Sequence, residues 1–215
     1  MNVVPESSLM ADLLALSRFR NYRRGDLMIR QGDVASSVVM VLEGHVKVWR
    51  VLGSGKSDVL AFRGRHDVIG RTAVLYGRPR SAYVEALERC RVALVPGASY
   101  LALMERHGFM GRVSEDIRER LAETIAVRGG SDVSAQLAFV LTRILDRQRA
   151  GGFCDPGPVA LHSTQEDLGC HLGIGRNSVS SGLRQLESMG VRRRRGRIEI
   201  LDNEKLRKLA RTVQA

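Results

Sequence analysis

The sequence predicts an α+β chain in which an all-β unit is followed by a long helix and a helix-turn-helix. Three observations lead to this fold class. Short β-like runs separated by glycines fill residues 20–100, a helical apolar period begins near residue 98, and two helical patterns flank a glycine within residues 163–190. We place the domain boundaries at 1–107, 108–131 and 132–215.

The β unit is predicted from runs rich in valine, isoleucine, leucine and aromatic residues. Glycines such as Gly25, Gly44 and Gly70 fall between these runs, at a spacing typical of a β-sandwich or barrel. The runs are MIRQGD, VVMVLEGHVKVWRVLG, DVLAF, SAYVEAL and RVALVP.

The long helix is predicted from apolar residues that recur every three or four positions with charged residues between them. These residues are Met110, Val113, Ile117, Leu121 and Ile125. A narrow apolar seam suits pairing with a second helix in a dimer, but it would equally suit packing on the chain's own β unit. Gly129 and Gly130 then interrupt the pattern, and we interpret them as a hinge because adjacent glycines weaken a helix.

Residues 163–190 predict a helix-turn-helix. Ser163 or Thr164 can cap the first helix, and Gly173 allows the tight turn. Apolar residues then continue at helical spacing on the second helix: Val179, Leu183 and Leu186. This arrangement is typical of a DNA-reading motif, and the alternative is a structural helical hairpin with a polar face.

The polar residues of this motif suit DNA recognition. Residues near the start of a recognition helix reach base edges, where arginine binds guanine and asparagine binds adenine. The predicted base-reading residues are Arg176, Asn177, Ser178 and Ser181. The predicted DNA-backbone contacts are Thr164, Ser180 and Arg184, together with Arg194, Arg195 and Arg197 of a β-wing that turns at Gly196.

Composition supports a polyanionic partner and argues against other classes of protein. The net charge is +11, and residues 159–215 contribute +5 of it. No apolar run reaches the length of a membrane span and the N-terminus lacks a secretory signal, so we expect a cytoplasmic protein. Cys90, Cys154 and Cys170 are widely spaced, which argues against a disulfide framework or a metal site. The sequence shows no paired carboxylates or nucleophile–base set, so we do not expect an enzyme.

These motifs, in this order, resemble the Crp/Fnr family of bacterial transcription regulators. YRRGDLMIRQGDVASSVVMVLEGHVKV resembles the family's cyclic-nucleotide-binding jelly roll, and GRTAVLYGRPRSAYV resembles its phosphate-binding cassette. TQEDLGCHLGIGRNSVSSGLRQLE followed by GRIEIL resembles its winged helix-turn-helix. The resemblance implies a homodimer on palindromic double-stranded DNA, with RNA polymerase as a candidate partner.

The resemblance also implies an effector pocket, but its residues match only in part. Arg80 and Ser81 match the family's phosphate-binding pair, whereas Arg71 stands where cyclic-AMP-binding members have a glutamate that accepts from the ribose hydroxyl. The expected pocket residues are Gly70, Arg71, Arg80, Ser81, Leu121 and Ala122, of which Leu121 and Ala122 lack the hydroxyl that would contact adenine. We therefore expect no cofactor and no control by cyclic AMP.

The recognition helix departs from the family pattern as well. Arg176, Asn177 and Ser181 align with an arginine, a glutamate and a second arginine in the receptor-type members, so we expect an altered operator. The leading hypothesis is a homodimeric, sequence-specific transcription regulator. The alternatives are an effector-independent architectural DNA-binding protein and a regulator that responds to a different anionic small molecule.

Overall fold

β-rich and helix-rich segments divide the chain into two units. The computed structural model describes residues 7–118, 132–149, 159–194, 196–201 and 204–213. One unit contains the described residues up to Arg50 and those from Phe62 to 118, and the other contains residues 51–61 and the described residues from 132 onward. Within the described residues, each helix is too short or too polar to cross a membrane.

The N-terminal strands form two four-stranded sheets. One has the strand order β1-β8-β3-β6 and the other β2-β7-β4-β5. The strands are β1 (Arg18–Tyr22), β2 (Leu27–Ile29), β3 (Ser37–Glu43), β4 (Val46–Val51), β5 (Ser57–Arg63), β6 (Val68–Ile69), β7 (Tyr83–Ala86) and β8 (Cys90–Pro96). The predicted N-terminal β unit is confirmed, and Gly44 makes the turn between β3 and β4 with a φ of 85°.

Strand β3 is buried on both of its faces. Val39 and Val41 join the apolar cluster shared by the two sheets. Val38 and Met40 point to the opposite side, where they pack in a second cluster with helix residues. Since side chains alternate along a strand, burial of both faces explains why VVMV is uninterruptedly apolar.

Four helical segments belong to this first unit. They are α1 (Ser7–Ala15), α2 (Arg71–Leu75), α3 (Gly97–Arg106) and α4 (110–118). Helix α1, which the sequence analysis did not predict, buries Leu9 and Leu13 in the second cluster. Its Asp12 accepts a hydrogen bond from His107 at 3.0 Å, which ties α1 to the end of α3.

The second unit contains the predicted helix-turn-helix and β-wing. Its elements are α5 (Val133–Arg149), β9 (Val159–Leu161), α6 (Gln165–Leu172), α7 (Arg176–Leu186), a 3₁₀ turn (Glu187–Met189), β10 (Val191–Arg194), β11 (Arg197–Ile200), α8 (Glu204–Ala210) and a 3₁₀ turn (Arg211–Val213). The sheet order is β10-β11-β9. Fully buried leucines from α5, α6, α7 and α8 form its core, and the predicted fold class is confirmed.

Candidate nucleic-acid interface and anion pocket

Helix α6 begins with a capping box. The Thr164 hydroxyl accepts a hydrogen bond from the Asp167 backbone N–H at 3.0 Å, and the Asp167 carboxylate accepts one from the Thr164 backbone N–H at 3.3 Å. These bonds satisfy N–H groups that have no partner within the helix. The Thr164 hydroxyl also donates to Asp167 at 2.7 Å, so it is already engaged within α6. Its contact with a DNA phosphate stays a prediction.

The turn between α6 and α7 depends on two glycines. Gly173 ends α6 in the left-handed conformation, with a φ of 74°. Gly169 lies under the turn, where a Cβ atom would be 2.7 Å from the Ile174 carbonyl oxygen. The Ile174 N–H donates to the Gly169 carbonyl at 2.9 Å. The chain therefore turns tightly enough to place the start of α7 directly beside α6.

Helix α7 is held in the core of the second unit by its apolar face. Val179, Leu183 and Leu186 are fully buried. Gly182 faces α5, and a Cβ atom there would lie 2.7 Å from a methyl carbon of Leu137. The absence of a side chain at Gly182 lets the backbones of α5 and α7 approach closely, which fixes the direction of α7.

The opposite face of α7 is polar and exposed. The predicted base-reading residues Arg176, Asn177, Ser178 and Ser181 all lie on it, near the helix N-terminus. Arg184 is also exposed, and Ser180 is half-buried. The structure thus brings the predicted reading residues together on one surface, while their contacts with DNA stay predictions.

The wing is an antiparallel hairpin of β10 and β11. Its residues pair with Arg194 opposite Arg197, and Gly196 adopts a φ of 69° at the tip. Arg194 is exposed, whereas Arg197 lies 3.3 Å from Glu199, which offsets part of its charge. Arg195 lies outside the described residues. Arg192, which the sequence analysis did not single out, is exposed on the same strand as Arg194.

The predicted anion cassette holds a buried arginine beside a left-handed glycine. Gly70 has a φ of 82° and precedes α2. The Arg80 guanidinium donates to the Gly70 carbonyl at 2.9 Å and to the Ser37 carbonyl, and a Cβ atom at Gly70 would overlap that guanidinium. Burial lowers the pKa of Arg80, and the charge of Asp33 partly opposes this shift. Ser81, the other predicted phosphate ligand, is exposed.

Arg71 is paired within the protein. Its guanidinium donates a hydrogen bond to the Asp116 carboxylate on α4. Only 6% of Arg71 and 3% of Asp116 are exposed. Asp116 was not predicted as a site residue, because in the sequence it is one more charged residue between the apolar positions. Its position three residues after Val113 could have indicated burial, because residues three apart are neighbours on the surface of a helix.

The first half of the predicted dimer seam packs on its own unit. Val113 is 1% exposed and belongs to the second apolar cluster, against which Met110 and Ile117 also pack. This is the arrangement that the sequence analysis left open as the alternative for these residues. The remaining predicted residues of the seam, pocket and hinge lie outside the described residues: Leu121, Ala122, Ile125, Gly129 and Gly130. The dimer contact of this helix stays a prediction.

The described cysteines are free thiols. Cys90 is buried, and its thiol donates to the His45 carbonyl at 3.2 Å. Burial, with a smaller effect from Glu88, raises the pKa of Cys90 to about 11. Cys170 is half-buried, and Cys154 lies outside the described residues. Within the described ranges no group of three or more histidine, cysteine, aspartate or glutamate residues could hold a metal ion.

Comparison with known proteins places both units in recognised families. Residues 19–107 match the cyclic nucleotide-binding domain, and residues 135–209 match the Crp-like helix-turn-helix domain. The Cyclic AMP receptor protein of Thermus thermophilus is 27% identical over 205 residues, which cover 92% of this chain and 91% of that protein. The cAMP-activated global transcriptional regulator CRP of Salmonella typhimurium is 25% identical over 183 residues, which cover 83% of this chain and 86% of that protein. A solved CRP-family transcriptional regulator from Thermus thermophilus superposes with a TM-score of 0.66 at 20% identity, covering 89% of this chain and 96% of that one.

Proposed function

Since this chain belongs to the Crp/Fnr family of DNA-binding transcription regulators, we propose that it acts as a homodimer on a palindromic DNA site. The chain is a regulator and not an enzyme. The observation that carries the proposal is the exposed polar N-terminal half of α7, which the capping box, the glycine turn and the buried leucines position in the second unit.

In the proposed complex, the start of α7 enters the major groove. Arg176 donates two hydrogen bonds to guanine, and Asn177 bonds adenine. Arg184 and the wing residues Arg194 and Arg197 contact phosphates, which position the protein without reading sequence. Because Asn177 and Ser181 replace longer charged residues of receptor-type members, the operator differs from the family's usual half-site.

Binding-site mapping across a genome, followed by gel shift on the recovered sites, tests this function. We expect a recurring palindromic motif, and we expect Arg176→Ala to abolish preference for it. Arg18→Ala is the matched control, since it removes the same charge from an exposed position on β1. If the Arg176→Ala variant keeps its preference for the mapped motif, α7 is not the reading element.

We propose that cyclic AMP does not control this protein, although the Salmonella relative is named as cAMP-activated. A ribose hydroxyl needs an acceptor where Arg71 can only donate, and Arg71 is already paired with Asp116. An unpaired buried hydroxyl costs about 1–3 kcal/mol. Isothermal titration of the full chain is expected to show no tight cyclic AMP binding, and a micromolar or tighter affinity would contradict this part of the proposal.

The assembly and the location follow from the proposed DNA target. A palindromic site requires two copies of α7 related by two-fold symmetry, so we propose a homodimer in the cytoplasm, with RNA polymerase as a partner at the promoter. Sedimentation equilibrium of the full chain is expected to give twice the mass of 23.8 kDa. A monomer that still binds the mapped site with full affinity would contradict the dimer.

A second candidate is an effector-independent architectural DNA-binding protein. The ion pair between Arg71 and Asp116 favours this candidate, because Arg71 already has a partner within the protein and needs no effector to balance its charge. The net charge of +11 also suits non-specific DNA binding. Equal affinity for unrelated DNA sequences would support this candidate over a sequence-specific regulator.

A further inference from the structure

The turn between β5 and β6, residues 64–67, holds a histidine in a backbone conformation that favours glycine. His66 has a φ of 69°, and among the described residues it is the one residue other than glycine with a positive φ. A residue with a Cβ atom is strained in this left-handed region, so surrounding contacts must hold it there. The strain is released if those contacts break.

Backbone hydrogen bonds to β3 hold the turn closed. The His66 N–H donates to the Val41 carbonyl at 2.8 Å, and the Val41 N–H donates to the Asp67 carbonyl at 3.0 Å. Within the turn, the Gly64 N–H donates to the Asp67 carboxylate at 2.9 Å. The adjoining strand β6 has two residues and lies at the edge of its described sheet. Few bonds therefore have to break for the turn and β6 to leave β3 together.

The surroundings of the His66 ring suit its neutral form. The Nε2 atom is buried and has no hydrogen-bond partner among the described residues. A neutral ring can leave Nε2 without a proton, whereas a protonated ring carries an N–H there that needs an acceptor. Burial lowers the pKa of His66, the charge of Arg65 lowers it further, and the charge of Asp67 partly opposes the shift. Protonation is therefore less favourable in the closed turn than in an open turn that water can reach.

We propose that His66 makes the β5–β6 turn acid-sensitive: the turn is closed on β3 while the ring is neutral, and it opens locally when the ring is protonated. Opening hydrates Nε2 and lets the backbone of His66 leave the left-handed region, so both costs are removed together. Because β6 leads directly into Gly70 and α2, the released segment reaches the start of that helix. This opening needs neither DNA nor an effector, so it does not depend on the proposed function.

The direction of the pH effect follows from the lowered pKa of His66. The open turn takes up a proton near the ordinary pKa of 6.5, and the closed turn does so only at a lower pH. The closed form is therefore fully favoured above pH 6.5 and loses this advantage as the pH falls below that value. Between the two pKa values, the equilibrium constant for opening rises by up to about tenfold for each pH unit.

A second titratable pair adjoins this turn. The ring of His45 lies against Gly64, and His45 is paired with Glu88 of the turn between β7 and β8. A pH response that came from the His45–Glu88 pair would survive the substitution of His66. Variants at His66 therefore distinguish the two sources.

Amide hydrogen exchange of the full chain, compared at about pH 7.5 and about pH 5.5, tests the proposal. Protection factors are used because they remove the intrinsic pH dependence of exchange. The protection factors of the His66 and Asp67 amides should fall several-fold, and at most about tenfold, at the lower pH. The Val113 amide of the same unit, which donates to the Phe109 carbonyl at 3.0 Å, should keep its protection.

Two variants remove the titrating ring and keep the turn. Asparagine tolerates the left-handed region and cannot be protonated, so His66→Asn should keep equal protection of the turn at both pH values. Glycine is unstrained in this region, so His66→Gly should also lose the pH response. His107→Asn is the matched control, because it removes another histidine of the same unit and should leave the response of the turn as in wild type.

The proposal is overturned if the wild-type turn has the same protection at both pH values, or if His66→Asn loses protection at the lower pH as wild type does. An equal loss at the Val113 amide would mean that the unit opens as a whole, which also contradicts a local opening. Turn amides without protection at about pH 7.5 would contradict the closed state itself.

Discussion

Gly169 and Ile174 approach so closely that a Cβ atom on Gly169 would lie 2.7 Å from the Ile174 carbonyl oxygen. The neighbour is backbone within a turn, so it cannot rotate away as a side chain would. Gly169→Ala should therefore destabilise the protein by about 1–3 kcal/mol, even though alanine favours helix by about 1 kcal/mol. Urea unfolding of the full chain measures the change.

Gly175 provides the control for that substitution. It is the N-cap residue of α7, with a φ of −71°, and a Cβ atom there would meet no atom within 4 Å. Gly175→Ala should cost only about 0.5 kcal/mol, which reflects the poorer N-cap preference of alanine and no steric overlap. Equal destabilisation by the two variants would show that the Gly169 contact is unimportant.

The capping box predicts a second stability effect. Thr164→Ala removes the hydroxyl that accepts from the Asp167 N–H, and it should cost about 1 kcal/mol. Thr164→Ser keeps the oxygen and should stay close to wild type. The two variants are compared by urea unfolding. If Thr164→Ser lost as much stability as Thr164→Ala, the contribution would come from the threonine methyl group and not from the hydroxyl.

The wing should contribute affinity without sequence preference. Arg194 is exposed at the end of β10, where it can contact a phosphate. Arg194→Ala should weaken binding to specific and unrelated DNA by the same factor, and it should lower the slope of log affinity against log salt by about 1. Titration at several salt concentrations measures both effects. A loss confined to the mapped site would assign Arg194 to base reading.

Cys90 predicts how stability changes at alkaline pH. Its thiol pKa is raised from 9.0 to about 11 in the folded state, mainly by burial. The folded protein therefore holds this proton more tightly than the unfolded chain. The contribution is fully present below pH 9 and is lost as the pH rises from 9 to about 11. Cys90→Ala should make the free energy of unfolding less dependent on pH over that window. If the variant kept the pH dependence of the wild type, the effect would not come from the Cys90 thiol.

The helix-turn-helix could be predicted because its signals are local. The capping residue Thr164, the left-handed Gly173 and the leucines of α7 each act within a few residues of their position. The same holds for the strand β3, whose valines match its burial on both faces. In each case the residue type by itself indicates the backbone conformation or the degree of burial at that position.

Features that depend on contacts between distant residues could not be predicted from the sequence. Helix α1 is stable because Leu9 and Leu13 pack in a cluster that residues from β3 and α3 complete. The short α2 begins at Arg71, which is bonded to a residue 45 positions away. Nothing within either segment distinguishes it from a solvated loop or terminus.

Local chemistry along the chain was enough to predict a β unit, an amphipathic helix, a helix-turn-helix and the exposed polar face that holds Arg176 and Asn177, because periodicity, caps and turns are short-range properties. The state of the cassette was not accessible in this way. Arg71 could have faced a ligand, solvent or a partner, and its charge alone favours none of these. Folding brings Asp116 of α4 against it, and both side chains are buried together. Whether an anion site is open depends on which charges share the same desolvated space, which only the assembled tertiary structure sets.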